Sequence, residues 1–106
     1  KKTRAVIGVL KDKDVYSLVK PLIYSVDKWY CGTIDSERGM NAKEIATRLE
    51  GSAKNCNVEE FDKMSSAFSR VLSESSCEDR ILIYGSFYTV SEFFEYSQSL
   101  QKVFNE

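Results

Sequence analysis

The chain has 106 residues, of which 42% are hydrophobic and 29% charged, enough for one packed domain without disulfide or metal staples and too apolar for a disordered segment. Its 15 basic and 16 acidic residues are intermixed to a net charge of −1, which leaves no basic face for a nucleic-acid backbone. No apolar run approaches the ~20 residues that span a bilayer, no signal-peptide pattern is present, and the absence of histidine removes the commonest zinc ligand and acid–base group.

Arg4-Ala-Val-Ile-Gly-Val-Leu10 is a β-branched apolar run and is expected as a strand buried on both faces. Val15, Leu18, Val19, Leu22, Ile23 and Val26 recur at helical spacing, with Pro21 expected to kink or divide that helix. Lys28 to Ile34 reads as a second strand and Asp35 to Gly39 as a charged loop. Asn41 and Glu44 stand at capping-box spacing before Ile45, Ala46 and Leu49.

After a turn at Gly51 to Lys54, Asn55 to Val58 is expected as a short third strand. Asn57 and Glu60 repeat the capping spacing, so a helix is expected from there to Glu74, with Phe61, Met64, Phe68, Val71 and Leu72 inward. Arg80 to Tyr84 reads as a fourth strand and Gly85 to Thr89 as a tight turn. A final helix from Ser91 is expected to turn Phe93, Leu100, Val103 and Phe104 inward. Cys31, Cys56 and Cys77 form no CxxC pair, so no disulfide framework or metal site is supported, and reduced thiols in a cytoplasmic protein are expected.

The alternation βαβαβαβα implies an α/β fold, a Rossmann-like three-layer domain with a mostly parallel sheet and helices on both faces. Ligands of such sheets bind beyond the carboxyl ends of the strands, where strand order reverses. With a strand order of 3-2-1-4, strands 1 and 4 are neighbours there, and the loops Lys11 to Asp14 and Gly85 to Thr89 face one crevice. Gly85 allows a tight turn, Ser86 adds a hydroxyl, the following helix end favours anions, and Lys13 adds a positive charge. The blander alternative is a helix cap at Ser86 or Thr89 and a solvated Lys13.

Asp14 suits an N-cap. Asp12 has three open roles: binding a ribose hydroxyl, orienting Lys13, or none. Arg38 is suited to fork onto a carboxylate or to sit solvated. No GxxxxGK[ST] loop, GxGxxG or Ser/His/Asp set is present, so no catalytic residue is expected in this chain and no metal site.

Val6-Ile-Gly-Val-Leu-Lys-Asp-Lys-Asp14 resembles the first strand and loop of the C-terminal domain of folylpolyglutamate synthases, with its Gly-Met-Leu-x-Asp-Lys-Asp pattern. Ile81-Leu-Ile-Tyr-Gly-Ser-Phe-Tyr-Thr-Val90 resembles that family's Gly-Ser-Phe-His-Thr-Val segment. Trp29-Tyr30 and Arg38-Gly39-Met-Asn-Ala42 fall where the family has a Trp-Tyr strand and an Arg-Gly/Ala-x-x-Ala loop. The resemblance covers nearly the whole chain.

It implies that residues 1–106 are the C-terminal domain of a folylpolyglutamate synthase/dihydrofolate synthase type ligase, a relative of the Mur ligases. Such an enzyme phosphorylates a carboxylate of dihydropteroate or a folate with ATP, and the amine of L-glutamate attacks the acyl phosphate. ATP and Mg2+ are then expected to be bound mainly by an N-terminal ATPase domain of the same polypeptide, and this chain alone is expected to be inactive. The resemblance assigns Lys13, Ser86 and Arg38 to the incoming glutamate and Asp12, Asp14 and Tyr88 to supporting or nucleotide-side positions. Tyr88 stands where the family pattern usually has histidine; both side chains can donate a hydrogen bond, but tyrosine does not ordinarily titrate near neutral pH, so a proton-linked role of that histidine is not carried over to Tyr88. The chain begins after the family's Asp-Gly-Ala-His-Asn-Pro segment and is expected to start near a hinge, with an apolar patch on its carboxyl-end face. The alternative is a free-standing Rossmann-like module for a small anion or nucleotide.

Overall fold

The computed structural model describes residues 1–52 and 56–105. Its elements run β1 (Thr3–Gly8), α1 (Val15–Val19), β2 (Lys28–Gly32), α2 (Ala42–Ser52), β3 (Val58–Phe61), α3 (Met64–Glu74), β4 (Arg80–Gly85) and α4 (Phe87–Asn105). The four strands form one all-parallel sheet in the order β3-β2-β1-β4, the order that sets β1 beside β4.

Because side chains alternate across a strand, β1 feeds both cores. Ala5, Ile7 and Val9 join Trp29, Cys31, Val15, Val19, Ile45 and Leu49 under α1 and α2. Val6 and Leu10 join Tyr30, Ile34, Met64, Phe68 and Val71 on the face covered by α3. From α4, Phe93 packs edge-on against Phe68 with ring centroids 5.3 Å apart, as its inward assignment requires. The side chains of Leu100, Val103 and Phe104 lie outside the described residues.

Several boundaries differ from the sequence-based expectation. The apolar stripe of Val15 to Val26 is a helix only as far as Val19, because Pro21 has no N–H to continue the ladder. The chain goes on in turns, with Leu22 and Ser25 amides donating to Val19 and Leu22 carbonyls at 2.9 Å each. Ile23 is still buried. The third strand is Val58–Phe61, not Asn55 to Val58, and Asn55 lies outside the described residues. As an edge strand, it accommodates Glu59 by pairing it with Lys28 at 2.9 Å and Arg70 at 3.4 Å. Phe61 therefore belongs to a strand and stacks on Tyr30. The Asn57 and Glu60 capping spacing goes unused, and α3 starts at Met64 without a side-chain cap.

At the start of α2, Asn41 Oδ1 accepts the Glu44 N–H at 2.9 Å. The Glu44 carboxylate does not return to Asn41; it pairs with Arg48 one turn on, at 3.0 Å. Finally, α4 begins at Phe87 rather than Ser91, so the segment after β4 is a single-residue connection at Ser86. Gly85 makes this possible, with φ of +119°. A Cβ at that position would collide with the Gly8 carbonyl oxygen.

Candidate functional site at the carboxyl edge

β1 and β4 are paired from Thr3↔Arg80 to Gly8↔Gly85. Helices α1 and α2 cover one face and α3 and α4 the other, so the sheet reverses its winding between these two strands. Both loops singled out in the sequence leave this edge.

The two glycines end their strands side by side, and the turn after Gly85 is tied to the Gly8 carbonyl. The Ser86 N–H donates to it at 3.0 Å and the Thr89 hydroxyl at 2.7 Å. The Thr89 N–H donates to the Ser86 carbonyl at 3.1 Å and lies 3.4 Å from Ser86 Oγ. Two amides at this helix start are thus already engaged. The polar groups this edge presents to an anion are the Ser86 hydroxyl and the loop after β1, rather than a bare helix end. Thr89 is fully buried and Ser86 half-buried.

The loop after β1 is stitched to the loop after β2. Leu10 and Gly39 form an antiparallel bridge, Lys11 N–H donates to the Arg38 carbonyl at 2.7 Å, and Met40 N–H donates to the Val9 carbonyl at 2.9 Å. This brings Arg38 to Asp12, with Nη2 and Oδ2 3.7 Å apart and both side chains exposed. Such a solvated pair is worth well under ~1 kcal/mol, so Asp12 holds Arg38 only weakly.

Asp14 caps α1, accepting from Ser17 N–H at 3.3 Å and Ser17 Oγ–H at 2.7 Å. The Ser17 hydroxyl, then its amide, hold the Asp14 carboxyl below its ordinary range. This carboxylate is engaged in structure. Lys13 is exposed, and its carbonyl accepts from Arg48 Nη1 at 3.5 Å; it makes no hydrogen bond to Ser86. Tyr88, in the first turn of α4, is 49% exposed and Val90 is exposed beside it. The residues thus gather as two groups on one edge, Lys13 with Arg38 and Asp12, and Ser86 with Thr89 and Tyr88.

Sequence reasoning did not single out Thr89 as more than a cap. The available signal was Gly8, a glycine inside an apolar strand, which marks a close approach by another group. A cleft of about 1130 Å³ also opens between the loop after β2, the start of α3 and α4. Its rim carries Asp35, Glu37, Asp62, Glu92 and Glu95 against one lysine, Lys63. Burial first, then Asp35 and Glu95, push the Glu92 carboxyl up, against a backbone N–H of Asp35. The acidic rim makes this cleft a poor place for an anion.

An all-parallel sheet with its reversal at β1/β4 and a serine-bearing strand-to-helix connection there defines a Rossmann-like α/β domain with a candidate ligand edge. Residues 1–87 match the Mur ligase glutamate ligase domain family, and the chain belongs to that family. It is similar to the dihydrofolate synthase/folylpolyglutamate synthase of Escherichia coli (strain K12), 35% identical over 91 residues that cover 86% of this chain and 20% of that protein. Its fold superposes on E. coli FolC in complex with DHPP and ADP, with a TM-score of 0.85, 31% identity, and coverage of 95% of this chain and 23% of the other. A bifunctional folylpolyglutamate synthase/dihydrofolate synthase with Mn, AMPPNP and L-glutamate bound superposes with a TM-score of 0.72 at 28% identity, covering 92% of this chain and 22% of that one. The chain spans about a fifth of the length of the curated relatives it matches.

Proposed function

We propose that the chain is the C-terminal domain, residues 1–106, of an ATP-dependent ligase that joins L-glutamate to dihydropteroate, a folate, or both, through an acyl phosphate. In the joining step the glutamate amine forms a C–N bond to the acyl carbon, the C–O bond to phosphate breaks, inorganic phosphate leaves and the nitrogen releases a proton. The domain holds the amine-bearing substrate. Lys13 and Arg38 meet its carboxylates as charges, and Ser86 donates a hydrogen bond. Asp12 balances Arg38 until substrate arrives, and Asp14 fixes the backbone of the Lys13 loop by capping α1.

The observation that carries this reading is the placement of the Lys13 loop and Ser86 after two paired strands at the point where the sheet reverses. ATP and Mg2+ belong to the same reaction. Among the described residues no group of three or more His, Cys, Asp or Glu is placed to hold a metal, and the sequence has no phosphate loop. In this reading the nucleotide and its metal are bound mainly by an N-terminal domain of the same polypeptide. Exposed Tyr88 and Val90 beside the edge suit contact with such a domain. Among the described residues no helix is long and apolar enough to cross a membrane.

A mixing assay tests this. The purified chain is added to a separately expressed upstream part of the same gene product, with ATP, dihydropteroate or a folate, and labelled glutamate. Glutamate incorporation only in the mixture is the expected result. Incorporation or ATP hydrolysis by the chain alone contradicts it. Tight binding of glutamate or a nucleotide by the chain alone, with no complementation, favours a free-standing module.

A further inference from the structure

We infer that Thr89 is a positioning residue for the amino-acid site: it locks the first turn of α4 to the end of β1 and holds Ser86 as a donor to the substrate carboxylate. The inference rests on the assignment of Ser86 to that substrate.

Thr89 is fully buried, and a buried hydroxyl is tolerated when it is hydrogen-bonded. Its proton goes to the Gly8 carbonyl at 2.7 Å, a contact between residues 81 apart in sequence. That carbonyl also takes the Ser86 N–H at 3.0 Å. One acceptor on β1 thus holds the chain on both sides of Phe87. Gly8 allows the approach, since a Cβ there would lie 2.7 Å from Thr89 Oγ1.

The consequence for Ser86 follows from counting protons. The Thr89 N–H approaches Ser86 Oγ at 3.4 Å and serves it as a donor. The Thr89 hydroxyl has already given its proton to Gly8, so it faces Ser86 Oγ, also at 3.4 Å, as an acceptor only. Ser86 therefore receives from Thr89 but is not asked to accept from its hydroxyl. At 3.4 Å the contact from the Ser86 proton to Thr89 Oγ1 is long and weak. That proton is readily given to a carboxylate oxygen, which makes the stronger, charge-assisted bond. The Gly8 carbonyl thus refers Ser86 to the end of β1, the strand that leads into the Lys13 loop.

Steady-state kinetics of the full-length enzyme carrying this domain test the inference. Thr89→Val keeps the methyl and removes the hydroxyl. Thr89→Ala and Thr89→Ser both lose the methyl and differ only in the hydroxyl, so they remain informative if the valine variant does not fold. Thr89→Val and Thr89→Ala are expected to raise the KM for glutamate roughly tenfold, the loss of about one net hydrogen bond. Thr89→Ser is expected to stay near the parent, with the KM for ATP unchanged throughout. Combined with Ser86→Ala, the Thr89→Val change should add little, because the two act through one group.

If Thr89→Ser is as impaired as Thr89→Ala, the residue only fills space and the inference falls. It falls equally if Ser86→Ala raises the glutamate KM while Thr89→Val does not. If Ser86→Ala itself leaves the glutamate KM unmoved, the assignment of Ser86 fails, and the inference with it.

Discussion

The Tyr30 hydroxyl donates to the Glu74 carboxylate at 2.6 Å, joining the second strand to the end of α3. The same hydroxyl accepts from Arg4 Nη1 at 2.9 Å, and Glu74 also receives Lys28 Nζ at 2.9 Å. Lys28 first, then Tyr30, hold the Glu74 carboxyl below its ordinary range. Tyr30 is fully buried, so its hydroxyl is at the centre of a clasp on the amino edge, opposite the proposed site. Tyr30→Phe leaves the ring packing and removes this junction. It should lower the unfolding free energy by ~1–3 kcal/mol in urea titrations with an unchanged slope, and leave glutamate kinetics alone.

The clasp also sets acid stability. Asp79 accepts the Lys2 N–H at 2.9 Å, the Ser76 N–H at 3.1 Å and Arg4 Nε at 3.3 Å. The two backbone donors, then Arg4, draw its pKa down to about 2. A carboxylate lowered in the folded state stabilises fully above its unfolded pKa of about 3.9 and loses that contribution as pH falls through the folded value. The stability advantage of the parent over Asp79→Asn should therefore be constant above about pH 5 and shrink towards about pH 2. Urea midpoints taken across that range check it.

Gly85 is the position least tolerant of a side chain. Its φ of +119° is outside the range of L residues, and a Cβ meets the Gly8 carbonyl. Gly85→Ala should cost at least ~2 kcal/mol. It should also disturb Ser86, so that any folded fraction of the full-length enzyme shows a raised KM for glutamate.

Much of the architecture was legible because β1, β2 and β4 lie inside the sheet or against both cores, and their apolar runs announce it. The helix after β1 was read too long because helical spacing reports which residues are buried, not which amides are bonded. Leu22, Ile23 and Val26 keep the stripe while Pro21 ends the ladder. β3 was misplaced because its glutamates look unlike a strand until Lys28 and Arg70 arrive from elsewhere in the chain. At the site, Lys13, Arg38 and Ser86 were legible as edge residues. The Thr89 bond to Gly8 was not, because it spans 81 residues and depends on the register of β1 against β4. The commitment of Asp14 to capping was foreseen from its position alone.

The cysteines offer a probe of the core under α1 and α2. Cys77 is exposed, Cys56 half-buried and Cys31 buried under α2. Burial pushes the Cys31 thiol far up and the Cys56 thiol up, and the thiolate is the reactive form. Under native conditions a thiol reagent should modify Cys77 first, Cys56 more slowly, and Cys31 only at the rate of global unfolding. Mass spectrometry of timed samples resolves the order; early labelling of Cys31 contradicts the packing described.

The most direct measurement is the KM for glutamate of the full-length enzyme with Lys13→Ala and with Ser86→Ala, alongside the KM for ATP. Removal of a charged partner or of a donor to a carboxylate should raise the glutamate KM by ~10- to 100-fold and leave that for ATP within about twofold. Unchanged glutamate KM in both variants would contradict the account and place the amino-acid substrate elsewhere on the enzyme.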